Sequence, residues 1–412
     1  MRVLIIGTVR AAHRALVELG HDVVLFINKK AVLPADLDFP YKQVHMFEEF
    51  ATEQDYADLA TVLHANQPFD AISCLNDNCQ KQAITVSQAL GLSFPISLDS
   101  LELTISKDRT RNQLTASGTD DTRFALVSNI DAVHDFCEQA STAHILKPVN
   151  GTGSKGIVKL ESGDNALSKI LSLGLKVEDV FPAIIEEYLE GPEFSVEALS
   201  ENGEHRIIAI THKLKDPTTF IELGHAIPAD LSGVEEQLIV GYVKEVLDSV
   251  GVTDGPSHSE VIFTANGPRL IETHTRPGGD NIWDLMKIAT GVDLMNLSVR
   301  QMLGERILNE IPHDLPKQSF AAIRYAAPSF GHGAKLTRVE GVAEARSKTG
   351  VVDVNILKNI GAEIGPLLHS FDRAASVISK GESLSDALAN AATGLEQLEF
   401  HTCWSPKEVE AS

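Results

Sequence analysis

Cysteine is scarce in this sequence, and the shortage removes two functional classes at once. Cys74, Cys79, Cys137 and Cys403 are too few and too irregularly spaced for a disulfide framework or a zinc site. They are expected to be reduced, mostly buried thiols. Positive charge is short as well: 35 Lys and Arg stand against 57 Asp and Glu, a formal net charge of −22. Nucleic acid and anionic membranes both call for a basic face, so neither is expected as a main partner. No apolar stretch approaches the roughly 18 residues that cross a bilayer. The run Val3-Leu4-Ile5-Ile6 is also too short for the apolar part of a secretory signal, which makes a cytoplasmic location the expectation. Internal repeats and low-complexity segments are missing too.

What remains is ordinary globular material. The 412 residues are 43% hydrophobic and 22% charged, enough for about two to four packed lobes. Residues 2 to 27 read as strand, turn, helix and strand, with Gly20 ending the helix: a βαβ unit on a parallel sheet. The first turn, Gly7-Thr8-Val9-Arg10-Ala11-Ala12, lacks the later glycines of a dinucleotide fingerprint. A strand over Asp70 to Leu75 leads through Asn76-Asp77-Asn78, read as a helix cap, into a helix that ends at Gly91. Pro95 marks the edge of this lobe. Helical periodicity resumes after Ser106, an N-cap with Arg109 standing where a capping glutamate would be. Lys107 then falls in the first turn, where the helix dipole favours anions, and hints at a shared anionic ligand.

A polyphosphate site is suggested by His144 to Val158, which sets Lys147 at the end of an apolar strand and runs into Gly151-Thr152-Gly153-Ser154-Lys155-Gly156. Glycines there let backbone N–H groups turn toward anionic oxygens. The loop is no P-loop, because Ile157 stands where that motif needs lysine, and the β-rich run after Gly156 makes it a hairpin flap. Ala183 to Ala198 reads as two strands about Gly191-Pro192, able to hold an adenine edge at Glu187, Tyr188 and Leu189 with Glu193 toward the ribose. Later, Asn266-Gly267 is a hairpin turn. With a loop of Ala265 to Gly267, Glu260 faces Glu272 across the ladder, and His274 and Arg276 share that face. Two carboxylates at that distance repel unless a cation lies between them, and hard oxygen ligands facing phosphates suit Mg²⁺. Helices over Asp284 to Gly291 and Leu294 to Leu303 should cover this sheet. After Pro312 and Pro316 another lobe is expected, with a strand at Ser319 to Tyr325, a loop at Phe330-Gly331-His332-Gly333, a helix near Leu384 to Ala391 and a frayed tail from Thr402.

Together, Lys107, Lys147, the loop Gly151 to Gly156, Glu186-Glu187-Tyr188-Leu189 with Gly191-Pro192-Glu193, and Glu260 with Glu272 resemble the ATP-grasp superfamily in order and spacing. The resemblance covers roughly residues 1 to 310. His258-Ser259-Glu260, the Ile271-Glu272-x-x-x-Arg276 pattern and the extra C-terminal lobe look like the L-amino-acid ligases that form dipeptides. It implies an α/β chain, α+β in the grasp lobes. The expected domains are an N-terminal α/β domain at 1–95, a linking helical segment at 96–120, a small lid subdomain at 121–185, a large subdomain with the metal hairpin at 186–315, and a C-terminal subdomain at 316–412.

The resemblance also implies ATP held by Lys107, Lys147, Gly151, Thr152, Gly153, Ser154, Gly156, Glu186, Glu187, Tyr188, Leu189 and Glu193. Mg²⁺, with Mn²⁺ as its substitute, would lie on Glu260 and Glu272. Arg276 is the expected catalytic residue, and His225, His274, Arg276 and Gly278 the expected substrate-binding residues. Many relatives place asparagine where His274 stands, which leaves metal ligation at 274 open; Glu187 occupies a position often lysine in D-alanine ligases. The implied activity is amide formation between small amino-acid substrates through an acyl phosphate, with a homodimer as the candidate assembly. The alternatives are a carboxylase resembling biotin carboxylase and a non-catalytic ATP-binding regulatory module.

Overall fold

The computed structural model of the chain describes residues 1–149, 156–313, 315, 318–331 and 333–404. Gly151, Thr152, Gly153, Ser154 and Lys155, along with Pro316 and His332, lie outside the described residues. Among those described, no helix is long and apolar enough to cross a membrane.

The N-terminal sheet contains β1 (Arg2–Ile6), β2 (Asp22–Asn28), β3 (Gln43–Phe47) and β4 (Ala71–Ser73), all parallel in the order β3-β2-β1-β4. Helices on its faces bury both sides of β1, which is why the strand reads as continuous aliphatic residues. The helix Asp77–Leu90 follows β4. Asn76 caps it by accepting the Asn78 N–H at 3.1 Å, and Gly91 closes it at φ +66°. Helices Leu98–Ile105 and Lys107–Ser117 then lead to the next sheet. Ser106 sits at the N-cap of the second as expected but makes no cap bond, because its hydroxyl donates to Asp108 Oδ1 at 2.6 Å.

The small sheet is antiparallel, in the order β5-β8-β6-β7: β5 (Phe124–Val127), β6 (His144–Pro148), β7 (Val158–Leu160) and β8 (Ala183–Glu187). A boundary between residues 185 and 186 would cut β8, whose pairing runs on through Glu187.

The remaining strands are β9 (Glu193–Glu201), β10 (Glu204–Lys215), β11 (Glu222–Ile227), β12 (Gly255–Thr264), β13 (Gly267–His274), β14 (Phe320–Ala326), β15 (Ala334–Glu340), β16 (Val351–Ile356), β17 (Ala375–Gly381) and β18 (Glu399–Trp404). Eight of them form one sheet in the order β13-β12-β9-β10-β11-β14-β17-β16. The strand expected to open a separate C-terminal lobe, β14, therefore pairs with β11 on one side and β17 on the other. Helix Ile282–Thr290 packs its apolar face onto the middle of this sheet, while Leu294–Met302 bridges it to the N-terminal sheet through Met295, Val299 and Met302. Thr402 pairs with Leu336 in the β15-β18 ribbon, so the frayed tail expected from Thr402 is ordered strand through Trp404. Of the four cysteines only Cys74 is buried, Cys79 and Cys137 are half-buried, and Cys403 is exposed on β18, which corrects the expectation of mostly buried thiols.

Candidate active site

The β12-β13 hairpin sets the geometry. Its loop is Ala265-Asn266, one residue shorter than the sequence suggests. Gly267, at φ +102°, already pairs with Thr264, whose hydroxyl donates to the Gly267 carbonyl at 2.8 Å. That register would set Glu260 opposite Ile271. A bulge between Glu260 and Val261 absorbs one residue, and Glu260 then pairs with Glu272, and His258 with His274. The facing carboxylates follow from the bulge and not from the turn length.

Each carboxylate has protein cations beside it. Lys213 Nζ lies 2.5 Å from Glu260 Oε1, and His258 Nε2 lies 3.3 Å from the same oxygen. For Glu272 the neighbours are His274 Nε2 at 3.2 Å and Lys107 Nζ at 3.4 Å. Burial alone would raise both carboxyls. Lys213 and His258 hold Glu260, and His274 and Lys107 hold Glu272, well below the usual carboxylate range. Both therefore present ionised oxygens, the donor set a hard divalent cation requires.

Beneath Glu260 lies a fully buried pair. His258 Nδ1 donates to Glu197 Oε1 at 2.7 Å, and Glu197 also accepts from the Ser195 hydroxyl at 3.0 Å and the Gly278 N–H at 3.2 Å. Desolvation pushes the His258 pKa down, but Glu197 and Glu260 outweigh it and carry the imidazole up to about 9. Gly278 has to be glycine here: a Cβ would stand 2.8 Å from His258 Nδ1 and 2.9 Å from Glu197 Oε2.

Arg276 leaves β13 toward the N-terminal domain. Its Nε donates to Asp77 Oδ2 at 2.5 Å and its Nη1 to the Pro277 carbonyl at 2.9 Å. Asp77 opens helix Asp77–Leu90, and Gln80 one turn on donates to the Thr275 carbonyl at 2.6 Å, so this helix positions the arginine loop. The Asn76-Asp77-Asn78 cluster is thus a cap, as read, and also a second point of support for the site. Against the desolvation that would lower it, Asp77 raises the Arg276 pKa.

The cations of the other lobe reach the same space. Lys147 Nζ donates to Glu186 Oε2 at 2.8 Å, and Arg111 Nε donates to Glu186 Oε1 at 2.6 Å. Burial opposes ionisation of Glu186, but Arg111 and Lys147 bring its pKa down to about 2. Lys213, 1% exposed at its side chain, contacts Glu193 at 3.1 Å and Glu222 at 2.7 Å besides Glu260; Lys215 also meets Glu193. Glu187 turns its carboxylate back to the Arg123 N–H at 2.9 Å, and the Tyr188 ring lies under Lys159 Nζ at 4.1 Å. Gly156 takes φ +77° beside the Pro148 ring.

Two adjoining cavities lie between these walls. One, of about 280 Å³, is polar and bordered by Lys107, Lys147, Lys213, Glu260, Glu272 and Arg276, with His225, Asp280 and Arg373 at one end. The other, of about 290 Å³, has apolar sides made by Ile145, Ile157, Leu189, Phe220, Ile262 and Ile271, with Glu186, Glu187 and Tyr188 along its wall. Lys147, Glu193, Lys213 and Lys215 border both. An apolar slot opening into a cation-lined chamber matches a flat aromatic base joined to a polyphosphate.

Sequence reading does not single out Glu197, Arg111 or Arg373; it reads Asp77 only as part of a helix cap, and Lys213 only as one residue of the segment 211–228 expected to line the acceptor side of the cleft. A signal existed for Glu197: Glu193, Ser195 and Glu197 alternate on one face of β9, every residue of which up to Ser200 is buried. Polar residues at every second position of a buried strand mark a built site and not a core.

These features define an ATP-grasp protein. Residues 140–283 match the ATP-grasp domain model and residues 330–402 match the L-amino acid ligase C-terminal domain 2. The chain thus carries an ATP-grasp domain followed by the C-terminal domain of L-amino acid ligases. It is 22% identical over 313 residues to alanine–anticapsin ligase of Bacillus subtilis (strain 168), covering 70% of this chain and 66% of that protein. It is 24% identical over 294 residues to the uncharacterized protein y4rH of Sinorhizobium fredii (strain NBRC 101917 / NGR234), covering 70% of this chain and 59% of that one. The chain thus spans less than two thirds of the length of either relative. The crystal structure of L-amino acid ligase from Bacillus licheniformis superposes with a TM-score of 0.84 at 22% identity, over 98% of this chain and 99% of that one.

Proposed function

We propose that the protein is an ATP- and Mg²⁺-dependent carboxylate–amine ligase that joins two L-amino acids, or an amino acid and a related amine, through an acyl phosphate. The observation that carries this reading is convergence: Lys107 and Lys147 border the same cavity as Glu260, Glu272 and Arg276, and that cavity opens into an apolar slot. The match of residues 330–402 to an L-amino acid ligase domain supports this reading over a carboxylase or a regulatory module, as does the superposition on an L-amino acid ligase.

ATP would lie with its base in the apolar slot beside Glu186 to Leu189, its ribose near Glu193 and its phosphates toward Lys107 and Lys147. Glu260 and Glu272 would hold Mg²⁺, with Mn²⁺ able to replace it, and the ion would neutralise phosphate charge. A substrate carboxylate oxygen attacks the γ-phosphorus, the bond to the β-phosphate oxygen breaks, and ADP leaves. The amine of the second substrate then attacks the acyl carbon. Phosphate departs and the amine's proton passes to solvent. Positioning and charge stabilisation dominate such transfer. Arg276, held by Asp77, is suited to orient the first carboxylate and then to stabilise the tetrahedral oxyanion.

The test is a screen for ADP and phosphate release over pairs of amino acids with mass detection of the condensed product. Single amino acids serve as controls for uncoupled hydrolysis. Release that depends on a pair and yields a product lighter than the pair by one water is expected. No release with any pair would overturn the reading. Glu272→Gln should abolish Mg²⁺-dependent turnover, and an unchanged metal dependence would remove Glu272 from the ligand set.

A further inference from the structure

The cross-strand pair next to Glu260 and Glu272 consists of two histidines, and their rings are engaged differently. His258 and His274 face each other on β12 and β13, with ring centroids 6.3 Å apart and planes 24° from parallel. His258 makes hydrogen bonds at both ring nitrogens, to Glu197 at 2.7 Å and to Glu260 at 3.3 Å. His274 lies between two carboxylates, with Asp77 Oδ2 at 3.4 Å from Nδ1 and Glu272 Oε1 at 3.2 Å from Nε2. Neither nitrogen of His274 completes a hydrogen bond among the described residues, although both are shut off from solvent. A charged imidazole serving only as a salt bridge would donate to both carboxylates. Buried polar atoms without partners cost free energy, and here they mark a place for a ligand.

The spacing suits a metal ion. An ion about 2.1 Å from each of two ligand atoms that stand 3.2 Å apart, as Glu272 Oε1 and His274 Nε2 do, subtends an angle of about 100°, near the octahedral value. Lys107 Nζ lies 3.4 Å from the other oxygen of Glu272, Oε2, and leaves Oε1 to the ion. Behind the ring, Asp77 supplies the partner that metal-bound histidines use: one ring nitrogen holds the ion and the other donates to a carboxylate. Asp77 is itself fixed, by Arg276 Nε on Oδ2 and by its place at the start of helix Asp77–Leu90.

We propose that His274 is a ligand of the divalent ion held by Glu272, that Asp77 is its positioning residue, and that the imidazole turns the site's preference from Mg²⁺ toward a first-row transition ion such as Mn²⁺. The inference rests on the reading of Glu272 as a metal ligand and adds which ion that ligand set favours. Mg²⁺ is a hard ion that keeps oxygen ligands, whereas imidazole nitrogen suits transition ions. A carboxylate and an imidazole in one coordination shell therefore select Mn²⁺, with nucleotide phosphate oxygens and water filling the remaining positions.

The test uses the full chain with ADP. Electron spin-echo modulation of bound Mn²⁺ detects nitrogen bonded to the ion, and Mn²⁺ and Mg²⁺ affinities follow from titration and competition on the signal of free Mn²⁺. Wild type should show a nitrogen coupling that changes when the protein carries ¹⁵N-labelled histidine and disappears in His274→Asn. In that variant the ratio of Mn²⁺ to Mg²⁺ affinity should fall about tenfold or more. Comparing ratios cancels the preference of the nucleotide itself. Asp77→Asn should keep the coupling and weaken Mn²⁺ binding about tenfold. Bound Mn²⁺ without a histidine nitrogen would overturn the inference while leaving the ligase reading intact, and so would an unchanged ratio in His274→Asn. If His274→Asn does not fold, the wild-type spectrum decides alone. Failure of the metal reading itself looks different: Mn²⁺ would bind the protein with ADP no better than ADP alone, which removes Glu272 from the ligand set and this inference with it.

Discussion

Strands β1 and β9 are both central, both covered on two faces, and filled by opposite chemistry. Val3, Leu4, Ile5 and Ile6 give β1 aliphatic side chains toward both layers of helices. Along β9, Phe194, Val196 and Ala198 enter an apolar core on one face, while Glu193, Ser195 and Glu197 go into the site on the other. Burial alone does not mark a core. A strand that hides ionised groups needs partners for every one of them, and β9 finds them in Lys213, Lys215 and His258.

Five variants would break or sharpen that contrast. Glu197→Ala leaves the His258 cation buried without its main partner and should cost about 3–5 kcal/mol in chemical denaturation. Leu4→Ala in β1 should cost a comparable ~2–5 kcal/mol through its cavity alone. The two losses should separate with pH. The pKa of His258 is raised from 6.5 to about 9 in the folded protein, so its contribution is complete below about pH 6.5 and disappears as pH rises through 9. That contribution is roughly 3 kcal/mol; His258→Gln should flatten the profile, and Leu4→Ala should leave it unchanged. Arg276→Ala should lower kcat by about 10²-fold with little change in nucleotide affinity. Turnover near that of wild type would take the arginine out of the chemistry. The smallest effect belongs to a helix far from both strands. Ser232 caps Gly233–Ser249 in a capping box with Glu235, and Ser232→Ala should cost about 1 kcal/mol at any pH in the neutral range.

How legible each region is follows from the same contrast. Strand β1, its turn and the capped helix after β4 can be read from short stretches because their determinants are local: aliphatic runs, an asparagine cap, a glycine stop. The Glu260 and Glu272 pair was also legible, through alternation. The turn assumed for it was one residue too long, and the bulge at Ile271 restored the register. What escaped are the partners that come from far along the chain. Asp77 reaches Arg276 across 199 residues and Arg373 reaches Asp280 across 93, and no local period encodes either. Lys213 was legible only as part of the segment 211–228 along the cleft, because its own role shows only once its three carboxylate neighbours are known.

The unbroken run of strands from β13 to β16 bears on how such a protein could be rebuilt. Cutting the chain after β14 would strip that strand of β17 and leave an unsatisfied edge open to self-association. A chimera that borrows residues 330–402 from a relative would import a new Arg373 equivalent together with the strands that seal the slab. Swapping that segment would therefore exchange one wall of the polar cavity and the partner of β14 in a single stroke.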